Sequence, residues 1–562
     1  MLYSHIVDGK CEKSACRPEF DMSCALLVAG LGTAGAMAAI SGAEAELDTI
    51  GVDGLGAMGG LGTAGGVWDY AWGNSGGRFE ALDRRAQRLC DSAFMHTGVE
   101  EAELGSRFIH GAAKAYVLED AARKAGCRLL LNTSVTGVFM EGDRIIGVEC
   151  FTDSGRICIA AKIVIDSTGD QIVVRSAGFP TRTEADTARM NFTRTRAEIV
   201  GSLVRNAPTN CGQRTSALQE DFSLSERLIE IGSKPPFLRE RYASENRTII
   251  VGEIPGYRDA ERIVGLETLE LIPYLRGEFS KAPLFYAFAP IDHVGGDLNS
   301  VSFGQKFWWL GCKMRSFGIA VPVTAGMMIP AGSRNLIVAD KGISVDDALT
   351  GCLRMKKDMQ RLGETAGKLA YFAIKKNCPV PEVDISAVRR ALCEDGLLYE
   401  RASIICKLNG FMDWTPFYAP KTLDELRGLL ASPDFGAAVV FALAGQLTAF
   451  DDAFEPMLAQ PETRCGAAIL LGILALFGKS ISEETYAALR QIAQSPIADR
   501  SVDPDRLPQA AAIWILGELR DNASLRLIKA LEAAFSARHG EPTDRFLASL
   551  SRAAARMIEE EI

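Results

Sequence analysis

Only five histidines occur in 562 residues, so few imidazoles are on hand for acid–base or metal chemistry. The fourteen cysteines never form a C-x-x-C pair. They are scattered irregularly, from Cys11, Cys16 and Cys24 to Cys90, Cys127, Cys150 and Cys158. This pattern argues against a dithiol redox motif and a zinc site, and it reads as reduced, mostly buried thiols. The longest later apolar run, Ala467 to Phe477, falls well short of the ~20 residues that span a bilayer. The first residues have no basic segment leading into an apolar one, so no secretory leader is expected. Lys and Arg form no run and the net charge is −10, which argues against a nucleic-acid footprint. The expectation is a cytoplasmic protein with no metal, no nucleic-acid partner and no membrane partner. At 48% hydrophobic and 23% charged residues the chain has globular composition, and its length suits several domains.

What the chain does have is glycine in meaningful places. Leu26 to Gly35 is a buried apolar run followed by Gly30, Gly32 and Gly35 at G-x-G-x-x-G spacing, and the small residues Ala36 to Ala39 follow. Gly30 permits a tight strand-to-helix turn, Gly32 lets backbone approach a pyrophosphate, and Gly35 lets helix and strand pack closely. Free amides at the helix N-terminus would face the phosphates. The next strand, Thr49 to Val52, runs into Asp53, near the ~20-residue offset of a carboxylate that bonds a ribose hydroxyl. The alternative, a glycine-rich buried helix or a membrane span, is disfavoured by the three helix-weakening glycines and by the short uncharged stretch.

A second glycine-rich stretch, Gly54 to Gly66, is too rich in glycine for regular structure and suits a loop against a flat ligand. Arg78 to Gly126 reads as helical, with Gly126 in a C-cap position. Strands at Val135 to Met140, Ile145 to Phe151 and Ile157 to Ala160 read as an antiparallel meander inserted into a parallel-sheet domain. Another buried strand, Ile163 to Ile165, enters Asp166-Ser167-Thr168-Gly169-Asp170, and a strand at Asn335 to Ala339 ends in Asp340. One long helix is expected from about Ala348 to Ala373, with Gly351, Gly363 and Gly367 inside it.

These residues resemble the FAD-dependent oxidoreductase family of the two-dinucleotide-binding-domain type over about residues 24–395. The likeness rests on the Gly30–Gly35 fingerprint with Asp53, Gly59, Gly60 and Thr63, and on Val164-Ile165-Asp166-Ser167-Thr168-Gly169-Asp170. It rests also on Arg262-Ile263-Val264-Gly265 with Pro290-Ile291-Asp292-His293, and on Asn335 to Asp340 followed by Gly342-Ile343-Ser344, Gly363 and Gly367. The chain departs from the family where Asp340-Lys341 replaces Gly-Arg and Val323-Thr324 replaces Tyr-Arg. The resemblance implies FAD as cofactor. It assigns cofactor contacts to Gly30, Gly32, Thr33, Ala34, Gly35, Asp53, Gly59, Gly60, Thr63, Val135, Thr168, Gly169, Asp170, Asp340, Ser344 and Gly363.

The expected fold is α/β. It has an N-terminal arm at 1–20 and a Rossmann-like FAD-binding domain at 21–180 and 321–398 carrying the meander. An α+β substrate domain spans 181–320, and an all-α extension spans 399–562. In that extension, runs starting at Phe435, Cys465 and Gln509 are similar to one another, and Ala511 to Asn522 looks like a unit of a HEAT-type repeat. A protein partner or self-association through these helices is one reading; a helical appendage packed on the flavin domain is the other.

The expected chemistry is hydride transfer between a small polar organic substrate and flavin N5. His293 beside Asp292 is the first choice of base, because a neighbouring acid can orient an imidazole. A structural His in a strand or turn is the competing reading. His96 and His110 fall in the helical stretch and read as capping or solvated. Phe307, Trp308 and Trp309 offer a stacking wall, although consecutive aromatics cannot all face one side of a strand. Lys313 and Arg315 offer cations for a carboxylate, against the commoner outcome of surface charge. The alternatives are a flavin-dependent C–C reductase or desaturase, and a non-catalytic flavin-binding subunit that docks a redox partner.

Overall fold

The computed structural model describes residues 3–7, 9–68, 70, 72–93, 109–182, 188–200, 203–215, 247–251, 253–254, 256–257, 261–290, 318–398, 419–432, 435–538 and 541–560. It divides into two compact units: Met1–Leu269 with Phe279–Gly296 and Gly318–Asp413, and Glu270–Glu278 with Asp297–Phe317 and Trp414–Ile562.

The first unit opens with a hairpin, β1 (Tyr3–Val7) and β2 (Lys10–Ser14), where sequence alone suggests an arm. There follow β3 (Met22–Ala29), α1 (Thr33–Glu44), β4 (Thr49–Val52), α2 (Arg78–Ala93), α3 (Gly111–Lys124), β5 (Arg128–Leu130), β6 (Ser134–Glu141), β7 (Arg144–Thr152), β8 (Gly155–Asp166) and α4 (Ile172–Ser176). The hairpin extends the meander by pairing β1 antiparallel with β6, Tyr3 opposite Glu141 and Val7 opposite Gly137. α3 stops where the chain turns left-handed at Gly126, φ +90°, a conformation that costs glycine little.

One correction concerns β8. Ile157–Ala160 and Ile163–Ile165 are not separate strands but parts of one 12-residue strand. Its first half pairs antiparallel with β7, and its second half pairs parallel with β3. Meander and parallel sheet are therefore a single sheet in the order β2-β1-β6-β7-β8-β3-β4-β5.

Between residues 181 and 323 lie β9 (Thr181–Arg182), β10 (Ala188–Val200), β11 (Leu203–Thr215), β12 (Arg247–Val251), β13 (Gly256–Tyr257), β14 (Arg262–Ile263), α5 (Leu271–Leu275), β15 (Phe285–Pro290) and β16 (Gly318–Val323). β10 and β11 form a long antiparallel hairpin joined by β12 and β13, and β15 pairs with β16. The strands belong to the first unit, while α5 belongs to the second.

The chain then returns through α6 (Ala325–Met328) to β17 (Leu336–Val338), parallel to the end of β8. The single long helix expected from Ala348 is two helices, α7 (Asp347–Leu353) and α8 (Lys356–Lys376), followed by α9 (Ile385–Glu394). Met355 is extended (φ −66°, ψ 135°) and breaks the helix. No proline or glycine marks that break, so helical periodicity runs straight through it in the sequence.

α1 is almost wholly buried, and its small residues let α8 lie against it. A Cβ on Gly363 would sit 1.9 Å from the Ala34 carbonyl oxygen, and one on Gly367 would sit 2.7 Å from the Ser41 Cβ. Ser41 Oγ donates to the Glu364 carbonyl across the same contact, at 3.1 Å.

The second unit is helical: with α5 it holds α10 (Leu423–Ala431), α11 (Gly436–Leu443), α12 (Phe454–Met457), α13 (Arg464–Leu476), α14 (Glu483–Gln494), α15 (Pro508–Glu518), α16 (Leu525–Ser536) and α17 (Pro542–Glu559). The three similar apolar runs become α11, α13 and α15, which are buried nearly end to end and build this unit's core around Trp514.

Two glycines should respond oppositely to alanine. Gly363→Ala overpacks the α1–α8 contact and should cost about 1–3 kcal/mol. Gly428→Ala lies mid-helix in α10 with nothing within 4 Å of the new methyl, and should gain about 0.5–1 kcal/mol. Denaturant titration of each variant measures both.

Candidate cofactor site

The parallel strands β3, β4, β8 and β17 all end at one edge, where ligands bind in open α/β sheets. A cleft of about 570 Å3 opens there, between the turn after β3, the end of β4, the turn after β8 and the segment after β17. Gly30 is left-handed (φ +84°), and a Cβ on it would meet the Ser167 carbonyl oxygen at 2.4 Å. A Cβ on Gly35 would meet the Gly30 oxygen at 1.8 Å. Both glycines are thus fixed by packing. Gly32 differs: a Cβ there would touch no protein atom within 4 Å. It is the N-cap of α1, no side chain caps that terminus, and it lines the cleft. Unused amides at the cleft end of a helix suit a phosphate.

Asp53 spends its carboxylate partly on backbone. Oδ2 accepts the Leu31 amide at 2.5 Å and Oδ1 the Leu55 amide at 2.7 Å. This braces the glycine turn, and each oxygen retains a lone pair for a hydroxyl in the cleft. Burial raises its pKa, against the pull of those two amides.

Opposite, Asp166 is fully buried and accepts from the Thr168 amide, the Thr168 hydroxyl and the Val174 amide, which shapes the Thr168–Asp170 turn. Asp340 reaches the same turn: Oδ2 accepts the Gly169 amide at 2.8 Å, and Oδ1 accepts Gln171 Nε2 and the Gly342 amide, both at 2.7 Å. Burial, reinforced by the Asp166 carboxylate, pushes Asp340 up to about 7.

Of the residues that sequence marks for the cofactor, Gly30, Gly32, Thr33, Ala34, Asp53, Gly60, Val135, Thr168, Gly169, Asp170 and Asp340 line this one cleft. Gly35, Gly59, Thr63, Ser344 and Gly363 stand outside its lining. Gly35 and Gly363 serve close packing, and Gly59 takes φ +103°. The Thr63 hydroxyl bonds the Met58 and Gly60 carbonyls, and Ser344 Oγ bonds Thr268 Oγ1 at 2.7 Å. His293, Asp292, His96, Phe307, Trp308, Trp309, Lys313 and Arg315 lie outside the described residues. His110 is the N-cap of α3, its Nδ1 accepting the Ala112 amide at 3.2 Å.

Val67, Arg354, Met355, Lys356 and Met359 also line the cleft; the family resemblance implies only that residues near 340–363 close over the isoalloxazine, and it singles out none of these five. Arg354, Met355, Lys356 and Met359 arrive because the chain breaks between α7 and α8. The available signal was the pair Lys356-Lys357 at a helix start, where cations oppose the helix dipole.

α8 also carries buried acids that hold its surroundings. Asp358 accepts the Asn74 and Phe288 amides at 3.1 and 2.9 Å and meets Arg361 Nη1 at 3.4 Å; burial pushes it up to about 6. Glu364 accepts the Arg78 amide through Oε1, while its buried Oε2 has no hydrogen-bond partner among the described residues. Burial pushes it up to about 8 from a usual 4.5. The folded chain therefore holds a proton that the unfolded chain releases, and stability falls as pH rises from about 4.5 to about 8. Glu364→Gln, neutral throughout, should flatten the decline in Tm between pH 5 and 8, read by thermal melts across that range.

The lining fits FAD: a glycine turn with open amides for a pyrophosphate, Asp53 placed for a ribose, and a cradle that a side chain on Gly32 would fill. Among solved structures the chain is similar to a geranylgeranyl bacteriochlorophyll reductase-like protein from Thermoplasma acidophilum (14% identity, TM-score 0.38, 84% of this chain and 99% of that one). It is similar also to the myxobacterial chondrochloren halogenase CndH (10%, 0.36, 83% and 99%) and to p-nitrophenol 4-monooxygenase PnpA from Pseudomonas putida DLL-E4 (13%, 0.36, 82% and 100%). No curated protein matches the sequence. The model of the family described as FAD dependent oxidoreductase matches residues 25–241 and 237–392, about two-thirds of the sequence, and the chain belongs to that family.

Proposed function

We propose that this enzyme exchanges a hydride between a small polar organic substrate and the N5 of FAD bound in the cleft. The observation that carries this reading is the convergence of Gly32, Asp53, the Thr168–Asp170 turn and Asp340 on one cleft of about 570 Å3. FAD supplies the redox chemistry, and the chain supplies binding, orientation and a dry setting. The α1 N-terminus would hold the pyrophosphate, and Asp53 the adenosine ribose. Thr168 to Asp170, with Asp340, would hold the polyol chain.

For the proton that accompanies hydride transfer we assign His293 as base, oriented by Asp292, on sequence grounds alone. The C-terminal helices we read as a HEAT-like array, a reading supported by the three similar runs each becoming a buried core helix.

Gly32→Val should fold, because the new side chain meets only the cleft, yet purify without the flavin band near ~450 nm that the wild type carries. An equal flavin content would remove the cleft as the FAD site. Anaerobic mixing of wild type with candidate substrates should bleach that band. With a substrate found in this way, His293→Asn should slow flavin reduction by about 10²-fold or more. An unchanged rate would end the assignment of His293.

A further inference from the structure

Against the cleft wall lies a second, small cavity of about 20 Å3, bounded by Thr33, Trp68, Tyr70, Lys114, Lys356 and Gln360. Four buried polar side chains close a ring of hydrogen bonds beside it. Tyr70 donates its hydroxyl to Asp83 Oδ2 at 2.8 Å and accepts Gln360 Nε2 at 2.8 Å. Lys114 Nζ completes the cycle, pairing with Asp83 Oδ1 and donating to Gln360 Oε1 at 2.8 Å. The four come from the segment before α2, from α2, from α3 and from α8, and none is more than 6% exposed.

Burying an ion pair is weak as a source of stability, since desolvation offsets most of the attraction. Desolvation lowers the Lys114 pKa and raises that of Tyr70 far above its usual value. The ring's clearest effect is geometric: the Tyr70 hydroxyl is held from two sides, which anchors the end of the aromatic plane, and burial packs its faces. Over that plane sits Lys356, its Nζ 4.5 Å from the ring centroid. This is cation–π distance. The same ammonium donates to the Val67 carbonyl, and both Lys356 and Val67 line the large cleft. Gln360 is one helical turn beyond Lys356, so ring and cation share a face of α8.

The linear order of FAD says which part meets Lys356. On the reading proposed above, Asp53 takes the adenosine ribose, and Gly32–Thr33 with Thr168–Asp170 take the pyrophosphate and polyol chain; all of them line the cleft. With those parts of FAD assigned, lining residues that include Val67, Ile254, Arg354, Lys356 and Met359 are left for the isoalloxazine.

We propose that Lys356 is the cation that faces the isoalloxazine and favours its reduced form, and that Tyr70, fixed by the Asp83–Lys114–Gln360 ring, is the residue that positions it. A positive charge beside the cofactor ring stabilises the electron-rich reduced state more than the neutral oxidised one.

The test uses the full FAD-loaded chain, equilibrated anaerobically with a reference redox dye and read by its absorption spectrum. At a matched dye poise, Lys356→Met should lower the reduced-to-oxidised flavin ratio by about tenfold, while Lys356→Arg stays near wild type. Tyr70→Leu, which keeps the cation and removes its platform, should lower the ratio by about threefold in the same direction. A Lys356→Met ratio equal to wild type, or an arginine variant displaced as far as the methionine one, overturns the proposal. If Lys356→Met cannot hold FAD, the other two variants decide. An unshifted Tyr70→Leu then overturns the positioning role, and a shifted one beside an unshifted Lys356→Arg supports it.

Discussion

The close approach of α1 to its two neighbours is the constraint from which the site follows. On one side Gly35 lets α1 touch the Gly30 carbonyl; on the other Gly363 lets α8 touch the Ala34 carbonyl. Both contacts are backbone to backbone with no room for a methyl group, and tight interiors transmit such geometry rigidly. The N-terminus of α1 is thereby held at the mouth of the parallel strands, and the first turn of α8 is brought beside it. The cleft lies where those two termini and the strand ends meet.

A second layer of control comes from buried carboxylates that accept backbone amides. Asp53 holds the Leu31 turn, Asp166 the Thr168 turn, Asp340 the Gly169 turn, and Asp358 the Asn74 and Phe288 amides. Loops at a ligand site have amides that no sheet or helix satisfies, and leaving them buried and unpaired is costly. Acids at the ends of β4, β8 and β17, with Asp358 in the first turn of α8, answer that need at the expense of their own desolvation. That desolvation raises Asp340 and Asp358 toward neutrality. The same groups that shape the cleft therefore also limit how much negative charge it carries.

The tyrosine-centred ring beside Lys356 follows a different logic. Its members are separated by up to 290 residues, and each satisfies another: Lys114 answers Asp83, and Gln360 answers both Lys114 and Tyr70. Complete satisfaction is what makes such a network rigid, since a partly bonded one would be worse than an apolar core. It ties α2, α3 and α8 together beside Lys356.

Local sequence determined a good deal. Gly30, Gly32 and Gly35 are legible because a turn, an open amide terminus and a close contact each demand glycine within six residues of chain. Asp53, Thr168 and Asp340 are legible because each follows a buried strand, so the chain's own alternation shows where an edge must come. The meander and the three apolar C-terminal runs are legible from periodicity. What only the tertiary structure decided has no local signature. The break at Met355 is one case: helical periodicity passes through it, and the extended residue brings Arg354 and Lys356 into the cleft. β8 is another, since a strand reads the same whether its neighbours are parallel, antiparallel or both. The pairing of Lys114 with Asp83 and the seat of Lys356 over Tyr70 are the third. A buried charge declares itself only through the partner that compensates it, and that partner is chosen by how the chain packs.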